Sequence, residues 1–346
     1  MKKRGMATLL FLCLALAGCG SGGDREPETL SAVRIDRDTE ADSGMTGKAD
    51  AETEFGPKEG DAEESDAAVP HEEGATSAEP PSETGQAPAQ ERPQEPEILN
   101  FVDVFGQEYQ VEINPRVERH DYNLSAFSHS GDNLEYTGDA RYCFRLGVDV
   151  SEHQGAIDWE RVRADGYEFA FIRIGYRGYG TAGKVCQDKF FSENLRNARA
   201  AGLDVGIYFF SQAVNEEEAR EEAEFVLQNL GGCELQLPVV YDPEHILDAA
   251  ARTDDVTGEQ FTENTILFCE MIRQAGYEPM IYSNMLWEAY QFDLERLAEY
   301  PIWYADYEPL PQTPYHFVFW QYTNEGRVDG MAGDIDLDIQ LLPAEN

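Results

Sequence analysis

The sequence predicts an α/β fold: an irregular (β/α)8-like barrel of the TIM type, preceded by a disordered acidic linker and a short β-hairpin segment. Three observations predict it. From residue 144 onward short apolar strands alternate with amphipathic helical stretches, a rhythm that calls for parallel pairing. About eight such strands fall within roughly 200 residues, the number that closes a barrel. The stretch before them has almost nothing apolar to bury.

Composition divides the chain. Its 346 residues carry 26 Lys and Arg against 67 Asp and Glu, a net charge of −41. Residues 24–98 hold 22 acidic and 6 basic residues, 8 of the 17 prolines and one aromatic, Phe55. That stretch cannot offset the entropy of ordering its backbone, so it is expected to act as a tether. Even residues 99–346 have 45 acidic against 17 basic residues. A nucleic acid would be repelled by them, and nucleic-acid partners are excluded.

The first residues read as an address. Lys2, Lys3 and Arg4 precede an apolar run, Met6 to Ala17, too short to cross a bilayer as a permanent helix. The run ends Leu16-Ala17-Gly18-Cys19, which resembles the lipobox of bacterial lipoproteins and implies a signal peptide over 1–18 with lipidation at Cys19. The expected location is the outer face of the bacterial cell membrane. Domains are thus expected at 1–18, 19–98, 99–143 and 144–342.

Within 99–143, residues 100–113 alternate apolar and polar on both sides of Gly106, the mark of a hairpin. Strands are predicted at Leu146–Val150, Phe169–Ile174, Val205–Phe210, Pro238–Tyr241, Pro279–Tyr282, Ile302–Tyr304, Phe317–Gln321 and Ile335–Ile339. Helices are predicted at Asp188–Ala201, Glu216–Leu230 and Gly258–Ala275. Asn215 serves as N-cap of the second, Glu218 follows three residues on, and Gly231-Gly232 stops it. The step from Asp306 to His316 is too short for a crossover helix, so the barrel is expected to be irregular.

Chemistry in such barrels sits at the carboxyl ends of strands, and those positions are acidic here. Asp242 and Glu244 are two apart on an extended chain and so point to one side, with Pro243 marking the end of the ladder. Two carboxylates held that close disfavour joint ionisation, which leaves one protonated as a general acid requires. By itself an Asp-x-Glu in so acidic a chain reads as two solvated loop residues. The apolar run Val239-Val240-Tyr241 just before it, and a further acid at Asp149, shift the balance.

Taken in order, Gly147-Val-Asp-Val-Ser-Glu-His-Gln-Gly155, Ile157-Asp-Trp159, Phe169-Ala-Phe-Ile-Arg-Ile174, Asp242-Pro-Glu244, Pro301-Ile-Trp-Tyr-Ala-Asp-Tyr307, Trp320-Gln-Tyr-Thr323 and Asp334-Ile-Asp-Leu-Asp338 resemble glycoside hydrolase family 25, the lysozyme-type muramidases. The resemblance covers residues 144–342. It implies cleavage of the β-1,4 bond between N-acetylmuramic acid and N-acetylglucosamine in peptidoglycan. It makes Glu244 the catalytic acid, Asp242 the carboxylate that stabilises charge or orients the substrate's acetamido group, and Asp149 and Asp336 further acids of the cleft. Tyr208, Trp303, Asp306, Tyr307 and Gln321 match substrate-binding positions. The chain departs from the family in having Phe209 where many members have His, and Asp338 where many have Asn.

No cofactor or metal is implied. His153 and His245 stand outside any metal-ligand pattern and read as structural. Cys143, Cys186, Cys233 and Cys269 are expected to be free thiols, since their spacing fits no zinc site and a domain of this size needs no staples. The expected partners are peptidoglycan glycan strands and, through Cys19, the membrane; the expected state is a monomer. Two rivals remain, a barrel that binds peptidoglycan without cutting it and a chitinase-like hydrolase.

Overall fold

The computed structural model describes residues 95–247 and 251–344. The leader, Cys19 and nearly all of the acidic stretch lie outside the described residues.

Two hairpins come first. Strands β1 (Ile98–Val102) and β2 (Glu108–Glu112) pair antiparallel with Phe101 opposite Tyr109. Their turn contains Gly106 at φ 74°, a left-handed conformation that favours glycine. This is the hairpin expected around Gly106. Strands β3 (Phe127–Ser130) and β4 (Asn133–Tyr136) form a second one, invisible to pattern reading because β3 contributes a single apolar residue, Phe127.

The barrel follows as β5 (Tyr142–Val150), α1 (Trp159–Ala164), β6 (Phe169–Arg177), β7 (Val185–Gln187), α2 (Phe191–Ala200), β8 (Asp204–Ser211) and α3 (Glu216–Leu230). It continues as β9 (Val239–Pro243), α4 (Gly258–Gln274), β10 (Pro279–Asn284), α5 (Met285–Tyr290), β11 (Ile302–Ala305), β12 (Phe319–Gly326) and β13 (Ile335–Pro343). Eight strands run β5-β13-β12-β11-β10-β9-β8-β6 and close through β5–β6, while β7 adds an antiparallel edge to the far end of β6. The barrel is irregular as expected, with no helix between β11 and β12.

One expectation fails. Within the closed barrel pairing is parallel from β5 through β6, β8, β9, β10 and β11 to β12, but β13 runs antiparallel to both neighbours. Only the short segment Arg327–Asp334 joins β12 to β13, whereas a parallel return needs about a dozen residues or more. Asp336 therefore stands near the start of its strand, not its end, yet at the same mouth as the carboxyl ends of the others.

Helix α3 shows how local sequence sets an element. The Asn215 side chain accepts from the Glu218 backbone N–H at 3.0 Å, and Gly231 at φ 56° ends the helix. The core has two layers. Phe169, Phe171, Val240, Met280, Trp303 and Phe319 fill the barrel, and a larger apolar layer separates its wall from the helices. Gly147 keeps room for this filling, because a Cβ there would lie 2.2 Å from the Phe169 ring.

Candidate active site

Four acids from three strands meet at the mouth. Asp149 ends β5, Asp242 and Glu244 stand at the end of β9, and Asp336 faces Asp149 as its direct partner across β13–β5. Asp149, Asp242 and Glu244 are almost entirely buried, Glu244 being 7% exposed, and Asp336 is half-buried. Burial raises the proton affinity of each, and their mutual repulsion raises it further for Asp242, Glu244 and Asp336. For Asp149 burial dominates and lifts its pKa to about 7, against the Gln321 and Asp338 hydrogen bonds and the positive charge of Arg173, which pull it down. Carboxyls coupled in this way titrate as a set, so protons remain at the mouth near neutral pH.

Glu244 is placed by its backbone. Gln212 Nε2 donates to the Glu244 carbonyl at 2.6 Å, and Gln212 Oε1 accepts from Thr253 Oγ1 at 3.2 Å. Its carboxyl opens onto a groove of about 460 Å³ that Tyr282, Asn284 and Tyr307 also line. Asp242 Oδ1 is buried without a hydrogen-bond partner. An orphaned acceptor inside such a mouth is suited to a donor that arrives with substrate.

The predicted contact residues divide into two layers. Gln321 is a junction: its Oε1 accepts from Tyr282 Oη at 2.9 Å and Tyr307 Oη at 2.8 Å, while Nε2 donates to Asp149 Oδ2 at 2.7 Å. Tyr307 faces the groove, and Tyr208 lies among Asp149, Asp242 and Asp336. Trp303 sits one layer deeper, 1% exposed, stacked on Phe171 at 4.6 Å, and donates from its indole to Asp338 Oδ1 at 2.7 Å. From there it positions a carboxyl and offers no face to a sugar. Asp306 is committed to its own loop, accepting from Tyr304 Oη, the Glu308 N–H and the Gln312 side chain and backbone. Phe209 packs on Phe225 of α3, outside the barrel, so the departure from the family at that position leaves the mouth untouched. His245 stacks on Trp287 at 5.0 Å, turned away from the acids as alternation requires.

Sequence reasoning missed one participant and placed a second only among the strand-end aromatics that could line a sugar cleft. Arg173 is a buried cation on β6, paired with Asp188 through Nε at 3.0 Å and a terminal nitrogen at 2.9 Å. It tempers the proton affinity of Asp149 and Asp242. The signal for it was present, an arginine inside the otherwise apolar run Phe169–Ile174, since a buried charge needs a partner or a purpose. Tyr282 is the other, a strand-end aromatic whose hydroxyl reaches Gln321.

A barrel with proton-retaining carboxyls gathered at its open end is the arrangement of a glycosidase. Residues 148–331 match the family model described as Glycosyl hydrolases family 25, and the chain belongs to that family. It is 31% identical over 199 residues to Lysozyme M1 of Streptomyces globisporus, covering 55% of this chain and 65% of that protein. It therefore spans slightly less than two thirds of that relative. It is 30% identical over 203 residues to the uncharacterized protein YegX of Escherichia coli K12, of which it covers 68%. Among solved structures it resembles the modular autolysin LytC of Streptococcus pneumoniae in complex with a synthetic peptidoglycan ligand, with a TM-score of 0.51 and 20% identity, covering 70% of this chain and 56% of that one. This last likeness concerns the fold.

Proposed function

We propose that this chain is a muramidase that cuts the β-1,4 bond between N-acetylmuramic acid and N-acetylglucosamine in peptidoglycan. The observation that carries the reading is Glu244: a buried carboxyl whose proton is retained by burial and by Asp242 and Asp149, on a residue that lines an open groove. The resemblance to a lysozyme at 31% identity supports the same substrate.

In this reading Glu244 donates its proton to the glycosidic oxygen as the bond breaks. Asp242 turns its unpartnered oxygen to the acetamido N–H of the sugar whose anomeric carbon is attacked, and its negative charge steadies the positive charge that develops there. Asp149 and Asp336 keep the surrounding potential negative, and Arg173 limits how many protons the group retains. The leader and Cys19 place the enzyme outside the cell, held to the membrane by acyl chains, with the acidic stretch as tether.

Digestion of purified cell walls, followed by mass spectrometry of the released muropeptides, tests this directly. Wild type yields fragments with N-acetylmuramic acid at the new reducing end, and Glu244→Gln yields none. Fragments ending in N-acetylglucosamine, cleavage of chitin oligomers in place of walls, or activity retained by Glu244→Gln would each defeat the reading.

A further inference from the structure

We propose that the β1–β2 hairpin forms one wall of the glycan groove, and that its tip residues Val104 and Phe105 contact a sugar beside the one whose bond Glu244 protonates. The inference rests on the glycosidase reading above. The hairpin lies outside residues 148–331, the part matched by the family, so nothing common to the family supplies this wall.

Geometry brings the hairpin to the acid. The groove of about 460 Å³ has Glu244, Tyr282 and Tyr307 on its barrel side and the hairpin tip on the other. That volume lies in the range of ordinary ligand sites, roughly 300–1,000 Å³. The tip is held to the barrel at Val102. Gln312 accepts from the Val102 N–H at 2.8 Å and donates to the Val102 carbonyl at 2.9 Å, and its own backbone is bound to Asp306 at 2.9 Å. Inside the turn Asp103 accepts from the N–H groups of Phe105 and Gln107, each at 2.9 Å, and from Tyr109 Oη at 3.1 Å. Tyr109 stacks on Phe101 at 5.2 Å. A turn so thoroughly bonded nonetheless leaves Val104 51% exposed. Apolar side chains presented by a bonded turn suit the C–H faces of a pyranose, and the occupant is the glycan strand, because the tip lines the same groove as the acid that protonates it.

The test uses two backgrounds and one probe, a soluble hexasaccharide of alternating N-acetylglucosamine and N-acetylmuramic acid. In the Glu244→Gln chain, which binds without cutting, the pair Val104→Ser and Phe105→Ser lowers calorimetric affinity about fivefold to tenfold, an apolar sugar contact being worth on the order of one factor of ten. In the otherwise wild-type chain the same pair raises KM by a similar factor and leaves kcat within about twofold. Gln312→Ala, which keeps both tip residues but releases Val102, gives the same direction of change. Unchanged affinity and KM in the tip variant overturn the wall. A wild-type chain that binds the hexasaccharide but never cuts it overturns the muramidase reading and leaves the wall standing.

Discussion

Asp338 and Asp149 stand carboxyl against carboxyl beneath the mouth of the barrel, where Asp338 Oδ2 is buried without another partner, and a hydrogen bond between them exists only while one of the two holds a proton. Asp338 has the stronger hold: it is wholly buried and repelled by Asp149 and Asp336, which together outweigh the Trp303 indole hydrogen bond that favours its charged form. A protonated Asp338 thus offers Asp149 the donor that an asparagine amide would offer permanently. Asp338→Asn is expected to keep activity at pH 6 within about twofold, whereas Asp338→Ala, which orphans both Trp303 and Asp149, loses about tenfold or more. Initial rates on cell walls, with melting curves to verify folding, check both.

Asp242 acts on Glu244 through charge. After burial, Asp242 is the larger of the two repulsions that keep the Glu244 proton in place. Asp242→Asn removes that repulsion, so Glu244 releases its proton at lower pH. The alkaline limb of the kcat/KM profile then moves to lower pH, along with any loss in rate. A limb that stays put or moves upward shows that another group sets it.

Gln321 ties Tyr282, Tyr307 and Asp149 into one network. Gln321→Leu keeps the volume but leaves Asp149 without that donor, a buried deficit of about 1–3 kcal/mol. The expected result is a fall in kcat of about tenfold with a smaller change in KM, since Tyr307 still lines the groove. Steady-state kinetics on a soluble oligosaccharide separate the two effects.

Stability should fall as pH rises. Burial lifts the pKa of Glu222 to about 7 and that of Glu288, which accepts from Thr313 Oγ1 at 2.5 Å, to about 8. Each group is neutral in the folded chain below those values, and ionises near 4.5 when unfolded. Their contribution is fully present below the unfolded pKa and is lost as pH climbs through 7 and 8. The melting temperature is therefore expected to be several degrees lower at pH 9 than at pH 5.5. Glu288→Gln should flatten part of that decline, as calorimetry across the range would show.

Much of this was legible in residue order. The strands at 146–150 and 205–210 and the helix at 216–230 followed from apolar runs and from the Asn215 and Gly231 signals, because those elements are set by nearest neighbours. The direction of β13 was not legible from its own residues, since the five positions of Ile335–Ile339 read alike either way round; the length of the preceding connection decides it. Asp149, Asp242, Glu244 and Asp336 could be named from the sequence, yet the division between Tyr307 at the surface and Trp303 below it depends on which side of the wall each faces across three strands. The hairpin could be read, but its position beside Glu244 rests on Gln312, some 210 positions away in the chain.

The reversed final strand has a consequence for biosynthesis. Asp336 and Asp338 lie on β13, translated after the other strands of the barrel, and that strand alone links β12 to β5. A nascent polypeptide halted before residue 335 has an unsealed sheet and lacks both Asp336 and Asp338. The acid cluster and the closed sheet are complete only once synthesis has passed that point.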